Sequence, residues 1–307
     1  MAKLSAERMQ TILRYQRDIR RLQKETQKLP GALRRDVQRI VDRRRDTIRG
    51  LILETVQDPE SPIPARSANG LGNRIAAEVR AMQDEVAAEV SLGQRTAWED
   101  GVKAGNSLLR AATLEESAFF SPSAELFNIA TKHSADLIVT AGREYIPRIN
   151  AMIARGVLGG LTPFQVMEQM DKLLGNTSAA SGIHRARADL GGIAYQSERI
   201  VRTEVNRVYS IALDSFNGEL VQRLGPEASK KLKKRWVFGT WREGRREDHR
   251  DIDGEEVPFD EEFSNGLKYP RDPAAWDKPE QVINCACTWV ISADSVEEAA
   301  LSALDNL

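Results

Sequence analysis

Between Ile12 and Phe216, in several separate stretches, the apolar side chains of this chain recur every three or four residues. That spacing gathers them on one face of an α-helix, and no strand can present it. Ile12, Tyr15, Ile19, Leu22, Thr26 and Leu29 form the first stripe, with Arg and Lys between them. Pro30-Gly31 is expected to break or kink it, because proline lacks the amide proton an interior turn needs. Leu33, Val37, Ile40, Val41, Ile48 and Leu51 then restart the pattern, so residues 1–56 read as a helical hairpin or bent helix. So narrow a stripe needs a partner surface, either a second subunit or later helices of the same chain.

Residues 57–73 hold three prolines and two glycines and are predicted to be a linker. Ile75, Val79, Met82, Val86 and Val90 mark the next helix; Trp98, Val102, Leu108 and Leu109 either extend it past Gly93 and Gly101 or form another. Ser121-Pro122 reads as a cap followed by a first-turn proline. Thr162-Pro163-Phe164-Gln165 has the residues of a capping box, in which Thr and Gln satisfy each other's free amides. Gly175–Gly192 is a polar loop, and Ile200 to Phe216 a helix ended by Gly225-Pro226. After that the pattern changes to short β-branched and aromatic runs at Trp236–Phe238 and Thr288–Ile291, as strands have.

The expected fold class is therefore mostly α, with elongated helical N-terminal and middle regions and a small C-terminal α+β domain. Its parts are a basic amphipathic arm (1–56), the linker (57–73), a helical domain (74–224), the α+β domain (225–292) and an acidic helix or tail (293–307). Charged residues at 29 % and aromatics at 6 % suit long solvated helices better than a β-sandwich. No run reaches the ~18 apolar residues that cross a bilayer, and the N-terminus lacks a signal-peptide core, so no membrane is expected as a partner. Two cysteines in C-x-C spacing do not make a disulfide framework.

The net charge of −1 conceals an asymmetry. Residues 1–50 carry 15 Lys or Arg against 6 Asp or Glu, which is +9 and leaves −10 for the rest. Arg34, Arg35, Arg39, Arg43, Arg44 and Arg45 are the densest part. They suggest either contact with a polyanion such as double-stranded DNA, through counterion release, or a solvated helix face.

The unusual chemistry lies between Trp236 and Ile291. On an extended segment Cys285 and Cys287 face the same side and could give two thiolates to one ion, with His249 and Asp253 completing four zinc ligands. Alternatively, His249 and Asp253 bond across a turn while the cysteines fill a core. A cysteine nucleophile with His249 as base and Asp253 orienting it is a third reading. A nuclease-like metal site at His249, Asp251 and Asp253 is a fourth. One of Arg202 and Glu204 is expected to be buried, orienting the C-terminal piece on its helix.

The ordered set G-x-L-x-G-L-T-P-F-Q, R-T-E-V-N, W-x-x-x-x-R-x-x-H-x-x-x-D-G, Y-P and N-C-A-C resembles the phage Mu F-like minor head proteins, the head morphogenesis family. It spans roughly Ile149 to Ile291. The matching residues are Arg202, Thr203, Glu204, Arg246, His249, Asp253, Gly254, Tyr269, Pro270, Asn284, Cys285 and Cys287; Ala286 stands where the family commonly has arginine. The resemblance implies a structural, non-enzymatic protein with no catalytic residues. It would be made in the bacterial host cytoplasm and carried in the virion head at the portal vertex. Portal protein and major capsid protein would be its partners, homo-oligomerisation is compatible with it, and zinc is the cofactor to test.

Overall fold

The computed structural model describes residues 6–175, 192–239, 247–275, 277–283 and 285–305. The polar loop at 176–191 lies outside them, as do Arg246, Asn284, Trp241 and Trp276. The chain is mostly α with a small C-terminal α+β region, as its periodicities predict. No helix among the described residues is long and apolar enough to cross a membrane.

The helices are longer than the sequence suggests. Helix α1 runs unbroken from Ala6 to Leu53 with Pro30 inside it, so of the expected break or kink the break does not occur. One lost hydrogen bond is offset because the stripe on either side, Ile12 and Tyr15 before and Leu33, Val37 and Val41 after, is buried. The linker is also shorter than expected: a 3-10 turn at Ala65–Ser67 leads into α2, Ala68–Thr113, which absorbs Gly70 and Gly72 because Leu71 and Ile75 bury fully. It continues through Gly93 and Gly101 as one helix.

Helix α3 is Ala124–Arg143, and its first-turn amide at Leu126 bonds Ser123 Oγ, so the cap is Ser123 rather than Ser121. Helices α4 (Tyr145–Leu158) and α5 (Pro163–Leu174) follow, the latter opened by the complete Thr162/Gln165 capping box. Helix α6 is Gly192–Asp214 and α7 Asn217–Leu224, so α6 ends earlier than Gly225.

The rest is compact: α8 (Pro226–Ser229), β1 (Lys233–Val237), α9 (Glu247–Asp251), β2 (Glu256–Pro258), α10 (Pro279–Val282), β3 (Thr288–Ile291) and α11 (Ala293–Asp305). The three strands form an antiparallel sheet in the order β2-β1-β3, with Trp236 opposite Trp289 and Lys234 opposite Ile291.

Two compact units result, and the division passes through α1, α2, α3 and α6. One holds 32–92 and 132–201, with a core of Val37, Val41, Ile52, Val79, Met82, Ile149, Val166 and Met170. The other holds 1–31, 93–131 and 202–307. In this second unit the Tyr15 hydroxyl donates to the Ile291 carbonyl at 3.3 Å, fixing the start of α1 to β3.

Candidate metal centre

Helix α9 is a little over one turn, with His249 buried between exposed neighbours. The His249 ring meets the Trp236 indole edge-on at 5.2 Å, and Trp236 packs in the same way on Phe263. Cys285 and Cys287 come from the segment leading into β3 and share a core with Trp236, Phe263, Leu267 and Val282. His249 Nδ1 lies 3.4 Å from Cys285 Sγ and 3.6 Å from Cys287 Sγ. All three donor atoms fall within 4.8 Å of one another, on buried residues.

The histidine's neighbours determine its tautomer. Gln281 Nε2 donates to Asp248 Oδ2 at 2.7 Å, which turns Gln281 Oε1 towards His249 Nε2, 2.6 Å away. A carboxamide oxygen only accepts, so Nε2 carries the proton and Nδ1 presents its lone pair to the two sulfurs.

The sulfurs receive backbone donors. Cys287 N–H donates to Cys285 Sγ at 3.4 Å, and Gly239 N–H to the Cys287 side chain. Only glycine fits at 239, since a Cβ there would lie 2.7 Å from that of Ala286. The Cys287 side chain, with help from Arg271, holds the Cys285 thiol well below its ordinary pKa against the effect of burial. The neighbouring sulfur and burial push Cys287 up.

Arg271, which sequence reasoning missed, closes the site from behind. It is 1 % exposed, and its Nη1 donates to the carbonyls of both Cys285 (2.9 Å) and Cys287 (2.6 Å). Its position directly after Tyr269-Pro270 was the only signal, and Gln281 had none.

The three donors could hold a metal ion. Tetrahedral coordination by one nitrogen and one sulfur puts them about 3.5 Å apart, as both N–S pairs here nearly are. Asp253 does not join the set. It is exposed, and its Oδ1 accepts from Phe238 N–H at 2.8 Å, while Gly254, at φ +84°, turns the chain into β2. The Asp-Gly pair therefore builds the β1–β2 connection, and the expected hydrogen bond from His249 to Asp253 is replaced by one to Gln281. Asp251 is exposed as well.

Arg202, Thr203 and Glu204 are all buried on α6, which corrects the expectation of one buried member. The reason is that α6 is packed from several directions: by Gly101 of α2 against Tyr209 and Ala212, and by the C-terminal region at Arg207 and Asp214. Glu204 pairs with Arg207 at 2.8 Å.

The six arginines considered for DNA are largely engaged within the fold. Arg34 pairs with Glu198, Arg39 with Asp36, Arg43 with Glu85, Arg44 with Glu78 and Glu85, and Arg45 with Asp42 and Asp171. Arg35 is exposed, with no ion pair among the described residues. Trp236 and Trp289 are fully buried, Trp236 packing edge-on against Phe263 and Trp289 stacking on Tyr269, rather than facing solvent.

No protein-family model matches the chain, and no solved structure does. A curated protein of Enterococcus faecalis, named NAD(+)–arginine ADP-ribosyltransferase EFV, is 30 % identical over 101 residues. Those residues are 33 % of this chain and 20 % of the relative, so the match spans about a fifth of that protein's length. The relative is named for catalysis, and this overturns the expectation of a chain that is not an enzyme.

Proposed function

We propose that the chain is a minor head protein of a tailed phage or prophage, acting at the portal vertex in head assembly or in DNA packaging and delivery. Its C-terminal region would be pinned by a zinc ion on His249, Cys285 and Cys287. What supports this is convergence. The motif residues are scattered from Arg202 to Cys287 along the chain, yet a run of contacts links them: Glu204 to Arg207, Arg207 to the residue after Tyr269-Pro270, that residue to the C-x-C pair, and the pair to His249. A bound zinc supplies fixed ligand geometry, and its binding free energy becomes folding free energy.

The soft N/S donors and their burial favour a structural ion. A hard cation for phosphodiester chemistry needs converging carboxylates, and none joins the cluster among the described residues. Because most of the N-terminal arginines are paired inside the fold, the partners proposed first are proteins, the portal and the major capsid protein, ahead of DNA. Co-expression with the portal and major capsid proteins of a tailed phage, followed by cross-linking of assembled particles, tests the role; absence of the chain from the particles sinks it. Elemental analysis tests the ion, and zinc well below one per chain after purification without chelator removes it.

The partial match favours a second reading, transfer of ADP-ribose from NAD⁺ to arginine. Incubation with labelled NAD⁺ and an arginine-containing acceptor decides it, and an unlabelled acceptor counts against it.

A further inference from the structure

Arg271 is tied at both ends. Its guanidinium holds the backbones of the two cysteines, through Nη1 to the Cys285 and Cys287 carbonyls. Its own carbonyl accepts from Arg207 Nε at 3.2 Å, and Arg207 is gripped by both oxygens of the buried Glu204 at 2.8 and 2.9 Å. The residue sits at φ +67°, a left-handed conformation that costs a non-glycine residue energy and persists where its surroundings over-determine it. A side chain facing the ligands and a carbonyl facing α6 are the two constraints on view. Burial pulls the Arg271 pKa down and Arg207 adds to this, while the two cysteines and Glu204 oppose it.

We propose that Arg271 is the positioning residue that couples the ion site to α6, so that metal binding and the seating of the C-terminal region on Glu204 and Arg207 strengthen each other. The proposal rests on the zinc reading above. The physical basis is linkage: a contact that exists only when the C-x-C backbone is ordered is favoured by whatever orders that backbone, and the coupling works equally in both directions. Residues that orient metal ligands from behind typically contribute tenfold to a hundredfold in metal affinity. Glu204, two contacts further away, should contribute less but measurably.

The test uses the full chain with Zn²⁺ alone, in competition with a chromogenic chelator, and with Co²⁺ as a spectroscopic stand-in. Arg271→Met is expected to weaken Zn²⁺ binding roughly tenfold to a hundredfold, with partial recovery in Arg271→Lys. Glu204→Gln is expected to weaken it several-fold while leaving the thiolate-to-cobalt absorption bands in place, because the ligands are unchanged. Reciprocally, Zn²⁺ should protect the wild type from limited proteolysis in the C-terminal region more than it protects Glu204→Gln. Glu204→Gln keeps the side chain's shape and serves where Arg271→Met does not fold. A wild type that binds Zn²⁺ while Glu204→Gln binds it equally well overturns the coupling and leaves the zinc site standing. A wild type that takes up neither ion overturns the zinc site, and the coupling with it.

Discussion

Gly105 of α2 occupies the spot where a side chain would collide with Phe216: a Cβ built on it would lie 2.6 Å from the ring Cζ. One turn earlier, a Cβ on Gly101 would lie 2.6 Å from Ala212 Cβ and 2.8 Å from the Tyr209 carbonyl oxygen. These glycines bring α2 and α6 close together, and α6 carries Glu204 and Arg207. Alanine gains about 0.5–1 kcal/mol of helix propensity over glycine, whereas overpacking costs about 1–3 kcal/mol. Gly101→Ala and Gly105→Ala should each be net destabilising by about 1–2 kcal/mol, read as a lower urea midpoint at unchanged slope. A midpoint at or above wild type would show that the helices can move apart freely.

The Tyr15 hydroxyl is buried, and its only hydrogen bond among those described goes to the Ile291 carbonyl. Tyr15→Phe leaves that acceptor unpaired and should cost about 1 kcal/mol. Amide exchange should quicken selectively in β3, where an unaltered exchange pattern would deny that α1 steadies the strand.

Lys234 is fully buried in β1, its Nζ 5.3 Å from the Phe263 ring centroid and without a hydrogen-bond partner among the described residues. Burial pulls its pKa down to about 8 from 10.5; Asp214, Asp260 and Asp272 oppose this and Lys268 adds to it. The native state therefore binds the proton less tightly than the unfolded chain does. The resulting penalty, roughly 3 kcal/mol at most, is present in full below pH 8 and is relieved as pH rises towards 10.5. Lys234→Met should be more stable than wild type at pH 7, and the gap should narrow by pH 10 in paired denaturation curves. A gap that does not change with pH would mean that packing, not charge, sets the difference.

Gln281 orients His249 without touching either sulfur. Gln281→Leu frees the ring to take the other tautomer and should lower Zn²⁺ affinity roughly tenfold to a hundredfold, while Asp253→Asn, which lies outside the donor set, should leave affinity unchanged. Equal losses in both variants would place Asp253 among the ligands after all.

Arg44 bridges Glu78 and Glu85 at the junction of α1 and α2, and those contacts raise its pKa, the Glu85 hydrogen bond most. Arg44→Ala should cost about 1 kcal/mol at low salt and less at 1 M. Arg35→Ala should be close to neutral in stability. Thermal unfolding across a salt series checks both; if Arg35→Ala alone reduced binding to double-stranded DNA, DNA would become a stronger partner candidate than the ion-pair pattern makes it.

Much of the architecture was legible because helical period and caps are local. The stripes of α1, α2 and α6 and the Thr162/Gln165 box each follow from residues within a few positions of one another. The errors were local as well. Pro30 read as a break or kink, and Gly93 and Gly101 left the end of α2 open, because propensity counts their cost and is blind to the neighbours that cover them. In the site, His249, Cys285 and Cys287 stood out by residue type, and Asp253 was added because a tetrahedral ion needs a fourth ligand.

The sequence by itself determined that this chain is helical with a small mixed C-terminal region, and that its distinctive chemistry lies in a histidine and a C-x-C pair. Only the tertiary structure decided that Gln281 sets the histidine tautomer and that Asp253 serves a turn instead of the cluster. It alone also decided that Arg271 joins the cysteine backbones to Glu204 and Arg207 on α6, and that most of the basic arm's arginines meet acidic partners. Period and residue type are properties of short segments, whereas hydrogen-bond direction, burial and charge pairing depend on which distant segments the fold brings within about 3 Å of each other.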